Sequence, residues 1–272
     1  MGNSDPHMRA APAEVYERLF VPALFRQWGP VVLDVAGVRA GHHVLDVACG
    51  TGALTCAAAQ RVQPGGTATG LDANDDMLTV ARRNGPAIEW RQGRAEQLPF
   101  TDERFDAVVS QFGLMFFEDR TMALREMRRV LRPGGRIAIA VWDALDHAPG
   151  YAVLAELLHR LFGPEVAEAF RAPFTLGDPE RLSALCSAAG FEVVHVTRHD
   201  RPVHFASIDA LVAAEHACVW TLGGLLDDTQ FERLRAAAQE TLRPWLTGHG
   251  PGVEFVVPAL IATAARAGSA RR

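Results

Sequence analysis

Two hydrophobic rhythms organise the first half of the chain. Residues 13–28 carry an apolar stripe at helical spacing, Val15, Leu19, Phe20 and Leu24, with Trp28 at its end. The stripe predicts a helix interrupted near Pro22, because proline removes a backbone donor and crowds the preceding turn. A second short helix is expected over 30–37. From residue 41 the pattern switches between β-rich runs and amphipathic stretches. It predicts strands at 43–48, 66–71, 88–92, 105–110 and 136–142, and helices at 53–62, 75–83 and 121–131. The last of these helices closes on Arg132-Pro133-Gly134-Gly135, a stop signal beyond the final turn. The run 136–142 is apolar after its first residue, as expected for a strand covered on both faces.

Beyond residue 143 that rhythm is lost. Helices are predicted at 151–162 (Leu154, Leu157, Leu158, Leu161) and at 179–189, ended by Gly190. A strand at 191–198 follows, then a mostly helical stretch over 207–247, with the stripe Phe231, Leu234, Ala238, Leu242 and Trp245. The segment 253–264 holds a last strand around 254–262. Seven strands alternating with helices predict an α/β fold: a Rossmann-like, mostly parallel sheet with helices on both faces. Four regions are expected. Residues 1–8 read as a vector-derived remnant, and 9–40 as N-terminal helices over the ligand site. Residues 41–206 with 253–265 form the core, and 207–252 form a helical cap inserted near the C-terminus. The cap is expected over the C-terminal edge of the sheet, where open α/β folds bind ligands, with Trp220 and Leu226 on its inner face.

Composition narrows the function. The chain has 272 residues, 49% of them hydrophobic, and a net charge of −5 without a basic run, which argues against nucleic acid as partner. No apolar stretch approaches the roughly 18 residues of a membrane span, and no signal peptide is visible. Cys49, Cys56, Cys186 and Cys218 form no metal-binding spacing, so no metal is expected and a reducing, cytoplasmic setting is.

The chemistry is carried by Val44-Leu45-Asp46-Val47-Ala48-Cys49-Gly50-Thr51-Gly52, between a strand and a helix. A Gly-x-Gly turn there lets a ligand approach the backbone, and the following helix amides face it. A dinucleotide-binding fingerprint would need a third glycine, but that position is Thr55. Asp72, twenty residues past Gly52, stands at the end of the next strand, where a carboxylate can accept from both hydroxyls of a ribose. The alternatives are a helix cap or turn role for Asp72 and a tight turn without ligand for the glycines.

On these residues the chain resembles the class I S-adenosylmethionine-dependent methyltransferases, in particular the branch typified by the ubiquinone/menaquinone C-methyltransferases. The matching motifs are 44–52, Gly70-Leu71-Asp72 with Met77-Leu78, the loop 92–100, the strand 105–110 and the turn Leu131-Arg132-Pro133-Gly134-Gly135. The resemblance implies S-adenosylmethionine as cofactor, S-adenosylhomocysteine as product and a small-molecule methyl acceptor. It also implies the site. Gly50, Thr51 and Gly52 pass the methionine part, with Ala48 and Cys49 in the same cofactor turn, Asp46 holds its ammonium directly or through water, and Ser110 and Gln111 lie beneath. Asp72 binds the ribose, Ala73 and Met77 pack the adenine, and Ala95 offers it an amide. Apart from the resemblance, Trp28 at the end of the N-terminal stripe is a further candidate at the same site, with ordinary packing as the competing reading. Arg94 departs from the pattern, because many relatives have an acidic residue there and arginine cannot accept a hydrogen bond. Either Glu96 or a backbone carbonyl takes that contact, or adenine is held mainly by shape. Methyl transfer from a sulfonium needs positioning more than acid–base chemistry. If a base is used, the candidates are His147, near Asp143, and His216, beside Glu215, with surface or core-edge roles as the competing reading. Phe20, Phe112, Met115, Phe116 and Phe117 could shape the acceptor site or simply pack. A nucleic-acid methyltransferase is disfavoured by the acidic balance and by Ser110-Gln111-Phe112-Gly113 after the fourth strand. A non-catalytic cofactor-binding protein would carry the same cofactor residues.

Overall fold

A computed structural model describes residues 12–218, 221–248 and 250–268. The remnant expected at 1–8, and Trp220, lie outside the described residues. The chain opens with α1 (Pro12–Val15), which runs into a π-helical segment (Tyr16–Phe25), then α2 (Trp28–Val35). β1 (His43–Val47), α3 (Ala53–Arg61), β2 (Thr67–Asp72), α4 (Asp75–Asn84) and β3 (Glu89–Gln92) follow. Then come β4 (Phe105–Gln111), α5 (Arg120–Val130), β5 (Leu131–Trp142), α6 (Pro149–Phe162), α7 (Pro164–Arg171) and α8 (Pro179–Ala188). The last elements are β6 (Val194–His199), β7 (Pro202–Phe205), α9 (Ile208–Ala217), α10 (Asp228–Thr241), β8 (Val253–Val256) and β9 (Ala259–Ala265). Among the described residues no helix is long and apolar enough to cross a membrane.

The seven-stranded sheet has the order β3-β2-β1-β4-β5-β9-β6. The first five strands are parallel, and β9 is antiparallel to both its neighbours. The order reverses direction at β1, so a crevice opens outside the C-terminal ends of β1 and β4. Helices cover both faces, which is why Val44, Leu45 and Val47 in β1 and 137–141 in β5 are fully buried. Local chemistry sets the helix ends. The Asn74 side chain accepts from the amides of Asp76 and Met77 at the start of α4, and Arg82 and Arg83 complement its last turn.

Several boundaries differ from the sequence reading. Pro22 does not interrupt the first helix. It sits inside the π-helical segment, whose wider turn gives the ring room, and the amide of Arg26 reaches back five residues to Val21 at 2.8 Å. The break falls after Phe25, so Trp28 opens α2 rather than closing the first helix. The Arg-Pro-Gly-Gly turn lies within β5, as a register shift opposite Phe105–Ala107, with Arg132 on both oxygens of Asp106 at 2.7 Å. The closing segment is two strands instead of one. β8 pairs with β7 in a separate two-stranded sheet, and β9 enters the main sheet. The expected core therefore loses 202–205 and the start of 253–265 to that ribbon, which packs against the π-helical segment, α6 and α9. α7 and β7 add to the elements that the sequence pattern predicts.

Candidate functional site

A cavity of about 390 Å³ opens at the crevice beyond β1, β2 and β4, within the range of small-molecule sites. Its wall begins at the β1–α3 turn, where Ala48 (φ 60°) and Gly50 (φ 56°) adopt left-handed backbone. A side chain built on Gly50 would stand 3.9 Å from Tyr16, an ordinary contact, and Gly50 lines the cavity. Gly52 is a glycine for another reason. At φ 90° its missing Cβ would stand 2.4 Å from the Trp90 ring. Asp72 ties β2 to this turn, one carboxylate oxygen accepting from the amide of Gly50 at 2.8 Å and the other from Asn74 at 2.9 Å.

Of the cofactor residues expected from sequence, the cavity gathers Ala48, Gly50, Asp72, Ala73, Met77, Ala95, Glu96 and Gln111 on one wall. The Gln111 side-chain nitrogen donates to the carbonyl of Phe25 at 3.1 Å. That bond fixes the amide orientation and leaves its Oε1 buried without a partner. Glu96 accepts from the amide of Glu118 at 3.0 Å and pairs with Arg94 at 3.5 Å, while Arg94 reaches Glu118 at 2.6 Å.

Six expected residues lie behind the wall instead. Cys49, Thr51, Gly52 and Ser110 are absent from the lining. Cys49 packs toward Gly70, and the Thr51 carbonyl accepts from Asn84 at 3.1 Å. Trp28 is fully buried and meets Phe112 and Trp142 edge to face, with ring centroids 5.7 and 6.0 Å away. Asp46 is buried and accepts from the Thr55 hydroxyl at 2.6 Å. Burial pushes its carboxyl up to about 7, with the Thr55 bond opposing that shift. Thr55, notable in the sequence only as a missing glycine, thus positions Asp46 beneath the turn. A hydroxyl nine residues after a strand-end aspartate is a signal that helix geometry could have revealed.

A family described as "Methyltransferase domain" matches residues 45–139. The ubiquinone/menaquinone biosynthesis C-methyltransferase UbiE of Cronobacter sakazakii is 36% identical over 208 residues, covering 70% of this chain and 82% of that one. The chain belongs to the S-adenosylmethionine-dependent methyltransferases. UbiE of Hahella chejuensis is 43% identical over 136 residues, 48% of this chain, and there the alignment spans only about half of the relative, 55%. The YcgJ protein of Bacillus subtilis shares the fold at a TM-score of 0.60 and 21% identity, covering 89% of this chain and 98% of that one.

Neither candidate base reaches the cavity of this methyltransferase. His147 is absent from its lining, half exposed, with its Nδ1 2.8 Å from Asp143. His216 stacks on Phe231 at 4.1 Å, with Nε2 3.2 Å from the Leu226 carbonyl, so helix α9 turns it inward toward α10. The neighbouring residue points the other way. Glu215, which the sequence marks only as the neighbour of His216, is buried on the cavity wall with Tyr151, Phe170 and Phe174. Phe20, Phe112, Phe116 and Phe117 also line the cavity, and Met115 does not.

Burial pushes the Glu215 carboxyl up to about 7. A group raised in the fold contributes stability that is intact below its ordinary value of about 4.5 and is lost as pH rises through about 7. Glu215→Gln has no such loss. The variant is therefore expected to gain stability relative to the wild type between pH 5 and pH 8, measured by urea unfolding at both. A difference independent of pH would show that Glu215 titrates normally.

Proposed function

We propose that this methyltransferase moves the methyl group of S-adenosylmethionine onto a small molecule held in the half of the cavity beneath α9, in the cytosol. The observation that carries the reading is one continuous cavity running from Gly50 and Asp72 to Glu215 and Tyr151. The residues present fit the cofactor. Each Asp72 oxygen is engaged by one backbone amide and keeps capacity for a ribose hydroxyl. The unpartnered Gln111 Oε1 suits an ammonium, and Ala73 and Met77 offer an apolar face for adenine. The Ala95 amide lies beside them. Asp46, Cys49, Thr51, Gly52, Ser110 and Trp28 support these groups from behind. When bound, the cofactor supplies an activated methyl group. The chain then aligns the acceptor and excludes water with the rings of Phe25, Phe112 and Trp142, and alignment alone can contribute roughly 7–11 kcal/mol in favourable cases.

S-adenosylhomocysteine is expected to raise the melting temperature and NAD to leave it unchanged, because Thr55 replaces the third glycine of a dinucleotide site. Stabilisation by NAD alone would overturn the reading. Methyl transfer itself is tested by a screen of small-molecule acceptors with methyl-labelled cofactor.

A further inference from the structure

The half of the cavity far from Asp72 is built from rings around one acid. Tyr151 stands at its centre, with Phe170 and Phe174 at ring distances of 5.8 and 5.9 Å. Glu215 joins them from α9 and is only 3% exposed. Its place is fixed by the turn that follows. The Glu215 carbonyl accepts from the Thr221 hydroxyl at 3.1 Å and from the amides of Cys218 and Leu222 at 3.2 and 3.3 Å. The Tyr151 hydroxyl is buried beside the Glu215 carboxyl, close enough for each to shift the other's ionisation. Arg94 is the one basic side chain among the described residues lining the cavity, and it is already held by Glu96 and Glu118 at the adenine end.

A buried carboxylate without a counter-charge is costly unless it is protonated or meets a cation. Aromatic faces attract cations and so favour the second outcome. We propose that Glu215 and the surrounding rings of Tyr151, Phe170 and Phe174 form the binding site for a protonated organic amine, the methyl acceptor. The ammonium donates to the Glu215 carboxylate and to the Tyr151 oxygen, both of which can accept. To become a nucleophile the amine gives one N–H proton to a Glu215 oxygen. The N–H bond breaks, an O–H bond forms, and the electron pair stays on nitrogen. A neutral hydroxyl compound would leave the carboxylate without its counter-charge.

The inference rests on the cavity being the cofactor and acceptor site, and its test separates the two. Binding is measured by titration calorimetry on protein saturated with S-adenosylhomocysteine. The probes are benzylamine, phenethylamine, tyramine and tryptamine, against the neutral 2-phenylethanol and 4-ethylphenol. At least one amine is expected to bind about tenfold tighter than the neutral compounds (about 1.4 kcal/mol). Glu215→Gln, which keeps the side-chain shape, is expected to abolish that preference while S-adenosylhomocysteine affinity stays within about threefold. Neutral compounds binding as tightly as amines, no amine binding at all, or amines binding the variant unchanged would each overturn the proposal. Failure of S-adenosylhomocysteine to bind would instead overturn the proposed function. The comparison of amines with neutral probes in the wild type needs no variant to fold.

Discussion

Trp28→Ala is expected to cost about 3–5 kcal/mol of unfolding free energy, the range for removing a large aromatic side chain from a core. The indole is fully buried, and it braces two rings that line the cavity, Phe112 and Trp142, stacked 3.6 Å apart. Removing it leaves a void behind the wall that α2 and the sheet cannot close without moving the strand ends. Trp28→Phe should be far milder. The indole N–H is buried with no partner, so its deletion relieves a desolvation cost of about 1–3 kcal/mol that offsets the lost volume. Urea unfolding of both variants checks this. A Trp28→Ala protein that keeps its stability but loses S-adenosylhomocysteine binding would make Trp28 a ligand contact rather than a brace.

Asp72→Asn is expected to weaken S-adenosylhomocysteine binding by about tenfold to a hundredfold. Both carboxylate oxygens already hold backbone amides, from Gly50 and Asn74. An asparagine has only one accepting oxygen, so its amino group faces a backbone N–H or a ribose hydroxyl that still needs an acceptor. A charge-assisted bond contributes about 1.5–3 kcal/mol, and each 1.4 kcal/mol is about a factor of ten in affinity. Burial also raises the Asp72 pKa, so acidification should lower wild-type affinity at a pH where a free aspartate would remain ionised, with little effect on the variant. Titration calorimetry at two pH values reads both effects. Unchanged affinity in Asp72→Asn would reduce the residue to a turn clamp between β1 and β2.

The parallel half of the sheet was legible because its strands are buried on both faces and its turns are marked by glycine and proline. Gly50 and Asp72 could be placed because residues at a strand end inherit their position from the strand, whereas Asp46, inside β1, is turned behind the wall onto Thr55. Residues on helices past 143 offered no such rule. Glu215 and His216 are adjacent, and periodicity alone does not say which faces the cavity, since that depends on how α9 lies against the π-helical segment. The split of the closing segment into β8 and β9 was equally hidden. Both are short and apolar, and only their partners tell them apart: Val257 donates to the carbonyl of Arg201, and Asp143 donates to Pro258. Pro22 misled because the usual proline rule assumes α-helical bonding, which a π-turn relaxes.

β9 lies between β5 and β6, although it follows β6 by some sixty residues of chain. During synthesis at roughly 5–20 residues per second, β6 leaves the ribosome on the order of 3–12 seconds, and β5 on the order of 6–23 seconds, before the strand that joins them. For that interval two unpaired edges are available for pairing with other chains. The interior strand 137–141 is wholly apolar and carries the greater hazard, whereas β6 bears His195, Arg198 and His199, which keep its waiting edge soluble. A nascent chain stalled before residue 259 should therefore aggregate through β5, and expression at lower temperature or with chaperones that shield strand edges should raise the yield of folded protein.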